Sequence, residues 1–170
     1  GIHVLDMALY LMGDPKPVSV TAAAYAEHGK HGKGFMQPMR PDGKHDVEDF
    51  VTGFVRFDNG ATLTLDVSWT AYSRYGDDFG VAIYGTEGGG EVDIRRYKRQ
   101  DSLRLFTDVA GNPAVINPNL PDGTGHGQVA RNFVDVIRSG DWANEYGQAA
   151  LKRTRIVDAI YRSAKQGMEI

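Results

Sequence analysis

A short turn between two strand-like segments constrains the fold of this chain more than any other feature. Asp58-Asn59-Gly60 separates segments 47–57 and 61–73, and Asn-Gly at such a point is typical of a tight hairpin because it tolerates positive φ. The second segment alternates between apolar and polar residues. Its apolar positions are Leu63, Leu65, Val67 and Trp69, and its polar positions are Thr62, Thr64, Asp66, Ser68 and Thr70. The pattern predicts two antiparallel strands with one face packed on a core.

Strands dominate the middle of the chain, and helices lie at its two ends. The predicted strands are 16–27, 47–57, 61–73, 79–84, 91–95 and 102–108. Helical spacing of apolar residues predicts helices over 4–12, 129–139 and 150–164. Segments 28–44 and 111–127 have no periodicity and are predicted to be loops. This order of elements predicts an α+β fold, a mostly antiparallel open β-sheet with helices packed on one face.

The first helix carries His3, Asp6 and Tyr10 on the face opposite its apolar residues, because they are three and seven positions apart. A histidine titrates near neutrality and therefore suits proton transfer, although His3 could equally be a polar residue flanking a helix start. Asp6 could bind hydroxyl groups or orient the imidazole, or it could be a first-turn acid favoured by the helix dipole. Tyr10 is predicted to pack.

The chain opens directly on this helix, at Gly1-Ile2-His3, with no methionine or leading strand before it. We therefore expect a fragment of a longer protein, with the absent part next to His3.

Composition excludes several classes of function. The formal net charge is -3, which argues against a nucleic-acid footprint. The one basic cluster, 95–99, is flanked by Asp93 and Asp101 and is predicted to be a solvated strand end or hairpin. No apolar run approaches the ~20 residues that a membrane helix needs. Cysteine is absent, which excludes disulfides and thiolate chemistry.

Two other patterns suggest ligand sites only superficially. One group resembles a set of metal ligands and comprises His28, His31, His45, Asp46, Glu48 and Asp49. These residues lack ligand spacing on a helix or tight turn, so no metal site is predicted. The glycine-rich segment 85–90 precedes a strand instead of a helix, so we predict a turn and no phosphate cradle. His126, just ahead of a helix, is predicted to be a cap or interface residue.

Five short motifs occur in order along the chain. They are Gly1–Asp6 with Leu11-Met12-Gly13, Asp49 with Arg56–Ala61 and Ser68-Trp69, Tyr84–Gly89, Asn132–Ile137, and Ile156–Ser163. Together they resemble the C-terminal domain of the glucose–fructose oxidoreductase / inositol dehydrogenase / MocA family of NAD(P)-dependent oxidoreductases. The resemblance runs over essentially the whole chain.

The resemblance implies a two-domain enzyme in which an N-terminal Rossmann domain, absent from this chain, binds NAD or NADP. Residues 1–170 would form the substrate-binding and oligomerisation domain, inactive alone. The substrate would be a sugar, polyol or related cyclic alcohol, oxidised at a secondary hydroxyl. Two alternatives are a non-catalytic sugar-sensing or binding module and a relative that cleaves glycosidic bonds through transient oxidation. A homodimer or homotetramer through the sheet face is expected, because its exposed side chains are small and polar.

The same resemblance assigns roles to particular residues. The family histidine that matches His3 takes the hydroxyl proton, together with a Rossmann-domain lysine and an acid four residues earlier. Asp6 would contact substrate. Segment 72–78 lines up with a family segment that carries substrate-contacting side chains. Within it Tyr75 occupies a matching tyrosine position, while Arg74 and Asp77 fall where family members vary and would act in substrate choice.

Overall fold

The computed structural model describes residues 1–29, 46–73, 76–98, 100–120, 125–142 and 146–170. Those residues form three helices and seven strands. The helices are α1 (Ile2–Leu11), α2 (His126–Ser139) and α3 (Tyr146–Gln166). The strands are β1 (Pro17–Tyr25), β2 (Phe50–Phe57), β3 (Thr62–Ser68), β4 (Asp78–Tyr84), β5 (Gly89–Arg95), β6 (Leu103–Val109) and β7 (Asn112–Ile116).

The strands pair in two antiparallel groups, with the orders β1-β2-β3 and β4-β5-β6-β7. The predicted α+β class with antiparallel strands is confirmed, although the hydrogen bonds divide the strands between two sheets where we expected one. The predicted hairpin joins β2 to β3, and Val55 lies opposite Leu63. Gly60 has a φ of 83°, and its N–H donates to the Phe57 carbonyl over 3.1 Å. Glycine takes this left-handed conformation without steric cost.

The core lies between the three-stranded sheet and the two helices α1 and α3. The buried apolar residues are Leu5, Ala8, Leu9, Val20, Val51, Val55, Phe57, Leu65, Ile156 and Ile160. Fully burying an apolar side chain of this size stabilises a fold by about 1.5–3 kcal/mol. In β3 the side chains point alternately towards and away from this core, as the sequence pattern predicts. The helices therefore cover one face of the sheet and leave the polar face of β3 exposed.

Two predictions on local structure are wrong. Tyr10 does not pack, because the buried face of α1 is centred on Leu5 and Leu9, and the tyrosine remains 74% exposed. The predicted loop 111–127 contains β7, which pairs with β6 after a turn at Ala110-Gly111. Both turn residues have positive φ, 51° and 79°. The turn was not predicted because Ala-Gly is a weaker indicator of this backbone conformation than Asn-Gly.

The end of the chain closes onto the edge of β1. Val20 and Ile170 exchange two backbone hydrogen bonds of 2.8 and 2.9 Å. The fully buried Ser163 on α3 holds this arrangement, because its hydroxyl donates to the Met168 carbonyl over 2.6 Å and accepts from the Ala22 N–H over 2.9 Å. Within the part of the chain described above, no helix is both long and apolar enough to cross a bilayer.

Candidate active site

Two connections leave the three-stranded sheet at one end. Tyr25, the last residue of β1, pairs with Phe50, and Phe50 in turn pairs with Ser68 at the end of β3. Segments 26–49 and 69–77 therefore start from the same end of the sheet, which we call the loop end. The hairpin turn around Asn59 occupies the opposite end.

Helix α1 begins over the loop end. Gly1 lies against the Val67 side chain near the end of β3. Farther along the helix, Ala8 and Met12 share a cleft with Asn59 of the hairpin turn. The helix therefore runs antiparallel to β3 and places its first turn, which contains His3, at the loop end. The imidazole is exposed and makes no hydrogen bond or ion pair to the described residues, so it is free to meet a ligand.

Asp6, one turn after His3, is bound to a residue that the sequence interpretation does not include. The Nε of Arg153 on α3 donates to the Asp6 carboxylate over 2.7 Å. The same guanidinium lies 2.6 Å from Asp14 Oδ1, as an ion pair, and donates to the Ala149 carbonyl over 3.1 Å. Burial alone would lower the pKa of Arg153, but the contacts with Asp14 and Asp6 outweigh it and hold that pKa above its ordinary value.

The sequence does contain a signal for Arg153. The buried stripe of α3 consists of Arg153, Ile156, Ile160 and Ser163. These positions follow helical spacing, so an arginine stands where an apolar residue is expected. A buried cation requires a partner. The spacing alone indicates an ion pair, although it does not name Asp6 and Asp14.

The segment that precedes β2 is fastened to the sheet by Asp49. This carboxylate is buried and accepts hydrogen bonds from the backbone N–H groups of His28 and Gly29 over 2.6 and 3.1 Å. The Asp49 carbonyl also accepts from the Ser68 hydroxyl over 2.5 Å. These bonds join the ends of three strands, so the loop end has a fixed base.

A cavity of about 300 Å³ opens beside the first turn of α1. Glu48, Trp69 and Tyr161 contribute to its walls and are joined by hydrogen bonds. The Tyr161 hydroxyl donates to the Glu48 carboxylate over 2.7 Å, and the Trp69 indole N–H donates to the Glu48 carbonyl over 2.7 Å. The bond to Glu48, together with burial, raises the pKa of Tyr161.

Of the three site residues predicted in segment 72–78, Arg74 and Tyr75 lie outside the described residues. Asp77 immediately precedes β4, and its carbonyl accepts from the Arg96 N–H over 3.0 Å. Its carboxylate bonds to the Tyr97 hydroxyl, which raises the pKa of Tyr97. Residues 95–98 form an exposed turn, which confirms the predicted solvated hairpin.

Two of the superficially metal-like residues have other partners in the structure. Glu48 accepts a hydrogen bond from Tyr161, and Asp49 accepts from two backbone N–H groups. Among the described residues, no group of three or more histidine or acidic side chains is arranged to hold a metal ion. His31 and His45 lie outside those ranges. Segment 85–90 turns from β4 into β5, with Gly85 donating to the Gly88 carbonyl over 2.8 Å, so the predicted turn is confirmed. His126 is the exposed first residue of α2.

The antiparallel sheet with α1 and α3 on one face defines an α+β domain. A levoglucosan dehydrogenase in complex with NADH and L-sorbose matches 99% of the chain with a TM-score of 0.73 and 25% identity, over 48% of that protein. The sequence profile of the GFO/IDH/MocA C-terminal domain matches residues 1–91, and the chain belongs to this family. The predicted family is thereby confirmed.

Two characterised relatives match nearly the whole chain. The D-glucoside 3-dehydrogenase of Escherichia coli strain K12 is 23% identical over an alignment of 171 positions that covers 100% of the chain and 46% of the relative. The levoglucosan dehydrogenase of Pseudarthrobacter phenanthrenivorans is 29% identical over an alignment of 189 positions that covers 95% of the chain and 47% of the relative. The chain thus spans about half the length of these sugar dehydrogenases.

Proposed function

We propose that this chain is the C-terminal, substrate-binding domain of an NAD(P)-dependent dehydrogenase. Its substrate is a sugar, polyol or related cyclic alcohol, oxidised at a secondary hydroxyl, and the domain is inactive without a preceding nucleotide-binding domain. The observation that carries the proposal is the exposed imidazole of His3 at the loop end of a sheet that belongs to this family. The relatives act as a D-glucoside 3-dehydrogenase and a levoglucosan dehydrogenase, which supports a carbohydrate substrate.

The described residues fit the substrate side of such an enzyme better than its nucleotide side. A dinucleotide is held by a glycine-rich turn that leads from a strand into a helix, whose N–H groups bind the pyrophosphate. Segment 85–90 leads from one strand into another and offers no such helix. We therefore propose that the nucleotide binds mainly to the other half of the protein.

In the proposed reaction the base is His3. The imidazole takes the proton of the substrate hydroxyl. NAD or NADP, when bound, would supply the acceptor for the hydride on the carbon that bears this hydroxyl. Asp6 is held through one carboxylate oxygen by Arg153 yet remains 64% exposed, so it can accept a hydrogen bond from a second substrate hydroxyl. Tyr75, Arg74 and Asp77 are proposed to contact the rest of the substrate and to influence its choice.

The test compares the full-length wild-type protein with His3→Asn. Each is incubated with NAD or NADP and a panel of sugars, glycosides and polyols, and nucleotide reduction is followed. We expect wild-type turnover and a loss of about 100-fold or more in kcat for the variant, the range of general-base contributions. Tyr10→Phe, on the same face of α1, should retain wild-type kcat. Sugar binding in calorimetry without any nucleotide reduction would contradict the proposal, as would an active His3→Asn enzyme.

The proposed homodimer or homotetramer forms through the outward face of the sheet. Its side chains on β3 are small, polar and exposed: Thr62, Thr64, Asp66 and Ser68. A bulky cation at the centre of this face should prevent association, because it would be buried without a partner. Sedimentation of wild type and Thr64→Arg is expected to give an oligomer and a smaller species, respectively. A monomeric wild type at high concentration would contradict the proposal.

A further inference from the structure

Arg153 connects α3 to the middle of α1, through Asp6, and to Asp14 just beyond the end of that helix. We infer that Arg153 is a positioning residue for the proposed dehydrogenase reaction: by binding Asp6 it fixes the first turns of α1 and offsets the negative charge beside His3. The inference rests on the proposed function of His3. It assigns a role to a residue far from the first helix in sequence.

The position of Arg153 is itself rigid. Its side chain is only 7% exposed, and its NH1 group is tied to the Ala149 carbonyl on the preceding turn of α3. The neighbouring residue on the same stripe, Ile156, is in the core against the sheet. Because this guanidinium is fixed and its planar group of donors allows few geometries, it holds the Asp6 carboxylate in a defined position relative to the core.

Packing alone is a poor explanation of this arginine. Moving a guanidinium out of water is unfavourable, and apolar replacements of buried ion pairs are often neutral or stabilising. The adjoining stripe positions are isoleucines, so an apolar residue would fit the pattern of α3. What an apolar side chain would not provide is a positive charge against Asp6, one helical turn from His3.

Several of the other charged groups on elements near α1 have partners of their own. On the sheet side, Glu48 binds Tyr161 and Asp49 binds two backbone N–H groups, while Asp77 binds Tyr97 ahead of β4. On α3, Lys152 donates to the Asp14 carbonyl over 2.5 Å, and Asp158 lies 3.6 Å from Arg162. The exposed Asp78, like the other exposed charges of these elements, is unchanged in every variant, so its effect on His3 is common to all the proteins compared.

Loss of Arg153 would therefore act on His3 mainly through Asp6. An uncompensated carboxylate one turn away favours the protonated imidazole, which cannot accept a substrate proton. The pH at which kcat/KM rises should then move upward. A merely structural role for Arg153 would lower stability without moving this pH.

The experiment uses the full-length protein and three variants. Arg153→Met removes the charge at similar size, Arg153→Lys keeps it, and Asp14→Asn breaks the contact of Arg153 that lies far from His3. We expect a 10- to 100-fold lower kcat for Arg153→Met, with a smaller change in KM. This is the rate loss that a small displacement of a catalytic group produces. The rising limb of its pH profile should lie at higher pH. Arg153→Lys should recover most of the loss, and Asp14→Asn should keep the wild-type profile.

A second measurement does not require turnover. The exchange of the imidazole C2 proton of His3, followed by mass spectrometry over a pH series, reports the protonation of that ring. Its midpoint should move upward in Arg153→Met and remain unchanged in Asp14→Asn. An unchanged midpoint in a folded Arg153→Met protein would overturn the inference, even where His3→Asn is inactive and the proposed function stands. Conversely, a wild type without dehydrogenase activity would defeat the proposed function, while the midpoint still decides the role of Arg153.

Discussion

The Asp6 carboxylate accepts a 2.7 Å hydrogen bond from Arg153, which lies 147 positions later in the chain. The two ends of this bond differ, because the guanidinium is 7% exposed and the carboxylate 64% exposed. A contact of this kind is partly screened by water, so its strength falls between a surface ion pair and a buried one. It links α1 to α3, which pack on the same sheet.

The energy of this link can be measured with a double-mutant cycle of Asp6→Asn and Arg153→Met. We expect Arg153→Met to lower the free energy of unfolding by about 2 kcal/mol, because it removes a hydrogen-bonded charge. The coupling between the two substitutions should be about 1 kcal/mol and decrease with added salt. Urea unfolding of the four proteins gives both values. Strictly additive effects would show that the bond contributes nothing.

Ser163→Ala should lower the free energy of unfolding by about 1–3 kcal/mol. The change leaves the Ala22 N–H and the Met168 carbonyl without their buried partner. Ser139→Ala is the matched control, because the Ser139 hydroxyl bonds to the Val136 carbonyl at an exposed helix end and its loss should change stability by at most about 0.5 kcal/mol. Equal melting temperatures of the two variants would contradict this role of Ser163.

The close approach of β4 to β5 depends on a glycine without a side chain. A Cβ at Gly80 would lie 2.4 Å from the Val92 carbonyl oxygen, so Gly80→Ala must displace backbone. We expect a loss of about 1–3 kcal/mol, the usual cost of overpacking. A Cβ at Gly53 of β2 would instead meet Ala22 at 3.6 Å, an ordinary contact. Thermal melting should therefore rank Gly53→Ala well above Gly80→Ala, and the reverse order would refute the prediction.

The hydrogen bond from Tyr161 to Glu48 should make stability sensitive to alkaline pH. The folded pKa of Tyr161 is raised, so its contribution is complete below the ordinary tyrosine value of about 10 and is lost as the pH rises through the raised value. Near neutral pH, Tyr161→Phe should be less stable by about 0.5–1 kcal/mol. The difference from wild type should disappear as the pH rises through the raised pKa of Tyr161, as measured by denaturant unfolding over a pH series. A constant difference would contradict the assignment.

Local chemistry accounts for the elements that the sequence predicts well. The hairpin at Asn59-Gly60 and the helix end at Gly140 follow from residues that adopt positive φ at low cost, and Gly60 and Gly140 have φ values of 83° and 66°. Alternation in β3 likewise fixes which residues face the core. Each of these patterns depends on only a few neighbouring residues, so it can be recognised in the sequence without knowledge of the tertiary structure.

The ion pair of Asp6 with Arg153 could not be predicted from the sequence. Its bond to Arg153 depends on how α3 packs beside α1, and neither segment reveals its neighbour. The prediction that Tyr10 packs is wrong for a related reason, because the sheet and α3 determine how much of the α1 surface is buried. The role of His3 came from family resemblance, and its free position at the loop end came from the structure.

The loop end and the hairpin turn lie at opposite ends of the same three strands. The tight turn between β2 and β3 therefore lies at one end, while the site proposed for the substrate lies at the other. Under the proposed function, substitutions or insertions in 72–77 would change which substrate is selected and leave the paired strands unaltered. This separation makes the domain a suitable scaffold for directed evolution, with diversity confined to one end and the Asn59-Gly60 turn left untouched.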